Sequence, residues 1–135
     1  MRDDWKEILN GEKIVQANLS FSYPGMIRAW HRHLKGQIDY FVVMEGAMKI
    51  CAYDDETGGL DQIITDGHKL QIVKIPGNYW HGTKAIGDKS SLTVYFTTRL
   101  YDYKNPDEER RPWNDSAIID PATKKPFDWN KPPHK

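Results

Sequence analysis

The sequence predicts an all-β domain, and three observations carry that prediction. Beyond Gly11 helical periodicity disappears. In its place come short runs rich in Val, Ile, Tyr, Phe and Thr. Turn signals separate those runs at roughly ten-residue intervals, the spacing that barrels and sandwiches produce.

The elements follow in order. The first ten residues form a short helix, with Asp3 or Asp4 as cap and Trp5 and Leu9 on one face. Strands are expected at 13–22, 26–33, 38–44, 47–53, 60–65, 70–75, 81–86 and 91–98. Their punctuation is Pro24-Gly25, Lys35-Gly36, Glu45-Gly46, Thr57-Gly58-Gly59, Asp66-Gly67, Pro76-Gly77-Asn78 and Gly87-Asp88. Past residue 100 the texture changes, and six of the eight prolines lie there. Trp113, Phe127 and Trp129 argue that this irregular tail packs on the barrel. Residues 1–135 are therefore read as one domain: an N-terminal segment 1–12, a barrel 13–99 and a packed tail 100–135.

Composition narrows the function. Lysine plus arginine equals aspartate plus glutamate at 19 each. That balance lacks the basic excess of a nucleic-acid or membrane-surface binder. No apolar run is long enough to span a bilayer and no signal-peptide core is visible, so a cytoplasmic location is expected. The single Cys51 fits a reducing compartment and lies in an apolar strand, as a core residue rather than a nucleophile.

The chemistry concentrates in "GMIRAWHRH", residues 25–33. On a regular strand one face carries Ile27, Ala29, His31 and His33, and the other Met26, Arg28, Trp30 and Arg32. One inward histidine is ordinarily a hydrogen-bonded core residue. Two leave several buried polar atoms in need of partners, which favours a functional site.

Outward from this pair the sequence reads Gly25-x5-His31-x-His33-x5-Asp39-x6-Gly46, and later Pro76-Gly77-Asn78-Tyr79-Trp80-His81. These resemble the two motifs of the cupin superfamily, whose fold is a double-stranded β-helix, or jelly roll. Asp39 stands slightly late for the first motif. Asn78 replaces a glycine of the second, a mild change if that position needs positive φ. The order "IRAWHRH", "GQIDYFVVMEG", "IPGNYWHG", "VYFTTRLYDY", "PDEERRPWND" is similar to dTDP-4-dehydrorhamnose 3,5-epimerase over about residues 25 to 116.

That resemblance implies an epimerase inverting carbon 3, carbon 5 or both of a nucleotide-linked 4-keto-6-deoxyhexose, in deoxysugar or polysaccharide biosynthesis. It implies His31 as the base and Tyr101 or Tyr103 as the acid. Arg28, His33, Asp39 and His81 then bind substrate or support the base, and no cofactor is needed. Three departures accompany it. The family's lysine, which holds the enolate, aligns with Asp39. The acidic residue that orients the family's histidine has no clear counterpart, Asp120 and Asp128 being the candidates. The sequence is also short at its N-terminus, where the family is expected to carry an extra strand.

Two alternatives remain. His31, His33, Asp39 and His81 are ligand types for a divalent metal, which would make the protein a metal-dependent isomerase or dioxygenase and replace the missing lysine as Lewis acid. A non-catalytic module for sugar nucleotides would keep the pocket without the clamp. Trp30, Tyr40, Tyr79 and Trp80 are candidates for stacking a base, and Arg110 or Arg111 for pairing with a pyrophosphate. "PDEERR" is otherwise a solvated turn with a short helical stretch. His68 and His134 read as solvated. A homodimer is expected, because an open jelly-roll sheet has edges to protect.

Overall fold

The computed structural model describes residues 3–131, with side chains from Lys6 onward. The cap expected at Asp3 or Asp4, the Trp5 side chain and His134 lie outside the described residues.

All eight expected barrel strands form, each within a few residues of its expected limits. Helix α1 (Asp3–Leu9) precedes β1 (Gln16–Ser22), β2 (Ile27–Arg32), β3 (Ile38–Glu45), β4 (Ala47–Tyr53), β5 (Leu60–Asp66), β6 (Val73–Pro76), β7 (Trp80–Ile86) and β8 (Ser91–Thr97). The tail adds β9 (Glu109–Arg110), β10 (Ile119–Asp120) and β11 (Lys125–Pro126). Two antiparallel sheets result, ordered β1-β8-β3-β6 and β5-β4-β7-β2-β9, with β10-β11 a separate ribbon. This is the cupin jelly roll. No helix among the described residues is long and apolar enough to cross a membrane.

Period-two burial builds two cores, one on each face of the five-stranded sheet. Between the sheets lie Phe41, Val43, Met48, Ile50, Val73, Ile75 and Ala85. On the outer face of β4, β7 and β2, Cys51, Tyr53, Trp80 and Trp30 meet Ile118, Phe127 and Trp129 of the tail. Burying each large side chain contributes about 1.5–3 kcal/mol, which fixes the tail against the sheet. Lys49 points to this outer side too. It is fully buried, and its Nζ donates to the Trp129 and Lys131 carbonyls at 3.2 and 2.6 Å.

Two local expectations are corrected. The helical stretch expected in "PDEERR" is instead β9, paired to β2 through His31↔Arg110 and Arg32↔Glu109. Asn78 is not among the residues of positive φ, so its replacement of glycine is mild for another reason. The glycine that matters there is Gly77, where a Cβ would run into the Gln37 carbonyl and stand 3.0 Å from the His33 Cβ.

The third correction concerns β2. Its pairing with β7 runs Ile27↔Lys84, Arg28↔Thr83 and then His31↔His81, three steps on one strand against two on the other. This bulge shifts the alternation by one residue. Ile27, Ala29 and Trp30 consequently pack toward the outer core, while Arg28 and His31 face between the sheets. Gly82, opposite the bulge, makes room for it, since a Cβ there would collide with the Ala29 side chain.

Candidate active site

Between the sheets, beside the inner core, a cavity of about 430 Å³ opens to solvent. Strands β1, β2, β3, β7 and β8 form its walls, and residues 99–110 its rim. His31, His33, Asp39, His81, Arg28, Tyr101 and Tyr103 all line it.

Asp39 sits at the centre. The loop 33–37 carries the chain from β2 into β3, where Asp39 lies opposite both Thr97 and Ile75 and its carboxylate points inward. One oxygen, Oδ2, stands 3.3 Å from His33 Nε2 and 3.3 Å from His81 Nε2. The other, Oδ1, accepts a hydrogen bond from Gln37 Nε2 at 2.7 Å. The late spacing that set Asp39 apart in the sequence thus delivers it between two histidines.

The far side of each ring is held by backbone. His33 Nδ1 lies 2.7 Å from the Asp107 carbonyl, and His81 Nδ1 lies 3.0 Å from the Tyr79 carbonyl. A carbonyl only accepts, so each Nδ1 carries a proton and donates it. Each Nε2 is left to face Asp39. Burial opposes charge on His33, but the Asp39 hydrogen bond and the Asp107 carbonyl outweigh it and raise its pKa. Burial would likewise push the Asp39 carboxyl up. The hydrogen bonds from His33 and His81 win, and hold it well below the usual carboxylate range.

His31 differs from its neighbours. Among the described residues neither of its ring nitrogens has a hydrogen-bond partner. Its ring centre is 6.3 Å from that of His81, at nearly a right angle. Burial, then the adjacent His81, lower its pKa to about 4, against an opposing pull from Glu108. Near neutral pH it is an uncharged imidazole at the cavity wall, near a His33 whose environment favours the charged ring.

Tyr101 and Tyr103 pack edge to face at the rim, centroids 4.7 Å apart. Tyr101 is 45% exposed and Tyr103 87%, so Tyr103 stands mostly in water. Arg28 donates to the Phe21 carbonyl at 3.3 Å. Arg110 reaches the rim and pairs with Glu108 at 2.7 Å. Arg111 does not: it binds Asp115 at 2.7 Å and covers the Trp80 ring from 5.0 Å, a structural role.

Several expected placements are corrected. None of Trp30, Tyr40, Tyr79 and Trp80 lines the cavity. Tyr40 and Trp80 alternate with the inward Asp39, Phe41 and His81, so they face away, and Trp30, within the bulge, packs in the outer core. Asp120 and Asp128 do not approach a site histidine; their carboxylates accept from the Ala122 and Asn130 amides. Asp39 is the carboxylate that contacts His33 and His81. Trp113 of "WND" presents its carbonyl to the Trp30 and Trp129 indoles, so the motif anchors the tail. Cys51 is fully buried and its thiol is pushed up to about 12 by burial. His68 is exposed.

Sequence reasoning missed Gln37, Tyr95 and Glu108. Tyr95 stacks on Phe41 at 5.5 Å inside the cavity, and alternation from Thr93 and Thr97 would have placed it there. Glu108 carried no such signal, because it lies on an irregular segment.

Three side chains also converge closely enough to be candidate ligands of a metal ion. One ligand atom each from His33, Asp39 and His81 lies within 4.8 Å of the others. Backbone carbonyls fix both Nδ1 protons, the arrangement that leaves Nε2 free to ligate. His31 stands outside this group, so the four-residue set expected from the sequence is reduced to three.

Residues 1–109 match the family model "Polysaccharide biosynthesis C-terminal domain". The chain is 44% identical to the probable low-salt glycan biosynthesis epimerase Agl13 of Haloferax volcanii, over 98% of this chain and 83% of that protein. Among solved structures, dTDP-4-dehydrorhamnose 3,5-epimerase of Elizabethkingia anophelis superposes with a TM-score of 0.77 at 20% identity, covering 98% of this chain and 71% of that one. NovW of Streptomyces spheroides, a 4-keto-6-deoxy sugar epimerase, gives 0.75 at 25% identity, covering 93% and 66%. The capsular polysaccharide assembling protein CapF of Staphylococcus aureus gives 0.68 at 24% identity. That match takes in 73% of this chain but only 29% of CapF. With its family model matched over most of its length and a close curated relative covering nearly all of it, the chain belongs to the polysaccharide biosynthesis C-terminal domain family, as an enzyme of the epimerase class that shares the jelly-roll fold of the dTDP-4-dehydrorhamnose 3,5-epimerases.

Proposed function

We propose that the enzyme epimerises carbon 3, carbon 5 or both of a nucleotide-linked 4-keto-6-deoxyhexose for cytoplasmic glycan biosynthesis. The observation that carries this reading is His31, an uncharged imidazole without a hydrogen bond among the described residues, facing a cavity of substrate size beside the His33–Asp39–His81 cluster.

His31 takes the proton from the carbon beside the ketone. The C–H pair forms the new carbon–carbon double bond, and the carbonyl oxygen takes up the negative charge. That oxygen turns toward His33, whose raised pKa favours the charged ring, and this positive charge stands in for the family's lysine. Tyr101 delivers a proton to the opposite face, and solvent exchange returns His31 and the phenolate to their starting states. Tyr103 supports Tyr101 from the solvent side. Arg28 and Arg110 pair with the diphosphate. NovW acts on a 4-keto-6-deoxy sugar, which supports this substrate class.

The test is proton NMR with dTDP-4-keto-6-deoxyglucose in heavy water. Deuterium should enter at carbon 3 or carbon 5 with wild type, and His31→Ala should lower that rate about 10²–10⁴-fold. Wild-type exchange at background level would reject the assignment for this substrate and favour a binding module.

A second reading rests on the convergence of His33, Asp39 and His81. These three would hold a divalent metal, which would supply Lewis acidity at the carbonyl oxygen in place of the lysine. Elemental analysis of wild type against His33→Ala separates the readings: a stoichiometric ion lost in the variant supports the metal.

A further inference from the structure

The loop 33–37 begins at His33 and leads into Asp39 of β3, so its path decides where both groups stand. Its residues belong to no strand. β9 pairs with β2 only at His31↔Arg110 and Arg32↔Glu109, and the ladder stops there. Backbone amides beyond that point need other acceptors.

Asp107, two residues before β9, supplies them. Its Oδ1 accepts from the Leu34 amide and its Oδ2 from the Lys35 amide, each at 2.9 Å. Its carbonyl accepts from His33 Nδ1 at 2.7 Å. Three consecutive residues thus hang on one residue of the rim segment, 72 to 74 positions away in the chain. The other side of the loop is tied to the turn after β6. There His33 donates its amide to the Gly77 carbonyl at 2.6 Å, and Gly77 donates its own to the Gln37 carbonyl at 2.8 Å. Asp107 does not line the cavity, whereas its neighbour Glu108 does.

A carboxylate suits this place. When ionised it only accepts, and its two oxygens meet two adjacent N–H groups at once. Bonds to an ionised acceptor are also stronger than neutral ones. Asparagine fills the same volume with a single acceptor and turns its amide donors against the second N–H. An Nδ1–H aimed at a carbonyl is only as well placed as that carbonyl, and here the carboxylate of the same residue locks it against the loop.

We propose that the Asp107 side chain positions His33 for catalysis: by docking the Leu34 and Lys35 amides it fixes the carbonyl that holds His33 Nδ1, and so keeps Nε2 turned into the cavity. This rests on the reading of His33 as the group that meets the enolate oxygen. Asp107 acts through His33 and is a positioning residue. A displacement of about 1 Å at such a group costs on the order of 10²-fold in rate.

The test is a double-mutant cycle on solvent exchange into dTDP-4-keto-6-deoxyglucose, with Asp107→Ala and Asp107→Asn made in the wild-type and His33→Gln backgrounds. In wild type, Asp107→Ala should lower kcat about 10²-fold and Asp107→Asn about 10-fold, with KM within about threefold. In the His33→Gln background the same changes should cost less than about threefold. A second readout needs no turnover. The His33 Nδ1 proton should give a downfield resonance, assigned by its loss in His33→Gln. It should vanish from Asp107→Ala while the circular dichroism spectrum stays unchanged. If the alanine variant fails to fold, Asp107→Asn takes its place in both readouts. Additive effects, a loss carried by KM, or a proton signal that survives in the folded variant would each overturn the inference. A wild type that leaves this substrate unexchanged would reject the reaction reading instead, and the proton signal would then decide on Asp107 alone.

Discussion

Replacing Asp39 with asparagine tests the electrostatic heart of the site with little change in shape. The carboxylate is 3% exposed and is shared by His33 and His81 through one oxygen, with Gln37 on the other. Removing one partner of a well-formed buried ion pair costs about 3–5 kcal/mol. Contacts of 3.3 Å beside an open cavity place the loss at the lower end, about 3 kcal/mol, or roughly 10 °C in melting temperature for a chain of this size. The pH dependence is more diagnostic. Asp39 has a depressed folded pKa, so its contribution is present above its unfolded value near 4 and fades as pH falls below it. His33 has a raised folded pKa, so its contribution is complete below about 6.5 and is lost as pH rises through the folded value. The two overlap between about pH 4 and 6.5, and there Asp39→Asn should hurt most. The assay is urea unfolding of both proteins at about pH 5 and pH 8, in chelator so that bound metal does not contribute. A penalty that is absent at pH 5, or that grows toward pH 8, would refute the ion-pair account.

Other consequences are direct. Solvent exchange into substrate should keep its acidic limb well below the 6.5 of an ordinary histidine, approaching about 4; a limb at 6.5 would mean that His31 is not the buried base. Gly77→Ala should destabilise by about 1–3 kcal/mol in thermal melts and weaken substrate binding, because the new methyl group displaces Gln37 and His33 together. Trp129→Ala should cost about 3–5 kcal/mol and free the tail to proteolysis, since its ring fills the outer core and its indole binds the Trp113 carbonyl. Cys51 should resist thiol reagents in the native protein and react on unfolding, and rapid native labelling would contradict its burial.

How much of this was legible depends on which signals are local. Strand limits follow from β-branched runs between turn residues, and all eight barrel strands were visible that way. Alternation also sorts inward from outward residues, so Trp80 beside His81 and Tyr40 beside Asp39 need not have been offered as stacking candidates. What alternation does not reveal is a change of phase. The bulge between Arg28 and His31 moves Arg28 to the cavity side and Ile27 and Ala29 to the outer core, and nothing in "IRAWHRH" announces it. Glu108 and the Asp107 carbonyl reach the site on an irregular segment, where sequence carries no period at all. The spacing of Asp39 counted against it only while the loop 33–37 had no known path.

The backbone contact between His33 and Asp107 bears on how the protein is made. Seventy-four residues separate these partners, and Trp30 finds the Trp113 carbonyl across 83. On the ribosome, "GMIRAWHRH" emerges when the segment that closes around it has not yet been translated. Such distant pairings form slowly. Until then the two histidines and the apolar outer face of β2, β4 and β7 stand open to water and to neighbouring chains. A nascent chain stalled before Asp107 would therefore present both an unassembled site and an uncovered core, making the interval before that segment emerges the one in which aggregation or chaperone capture is most expected.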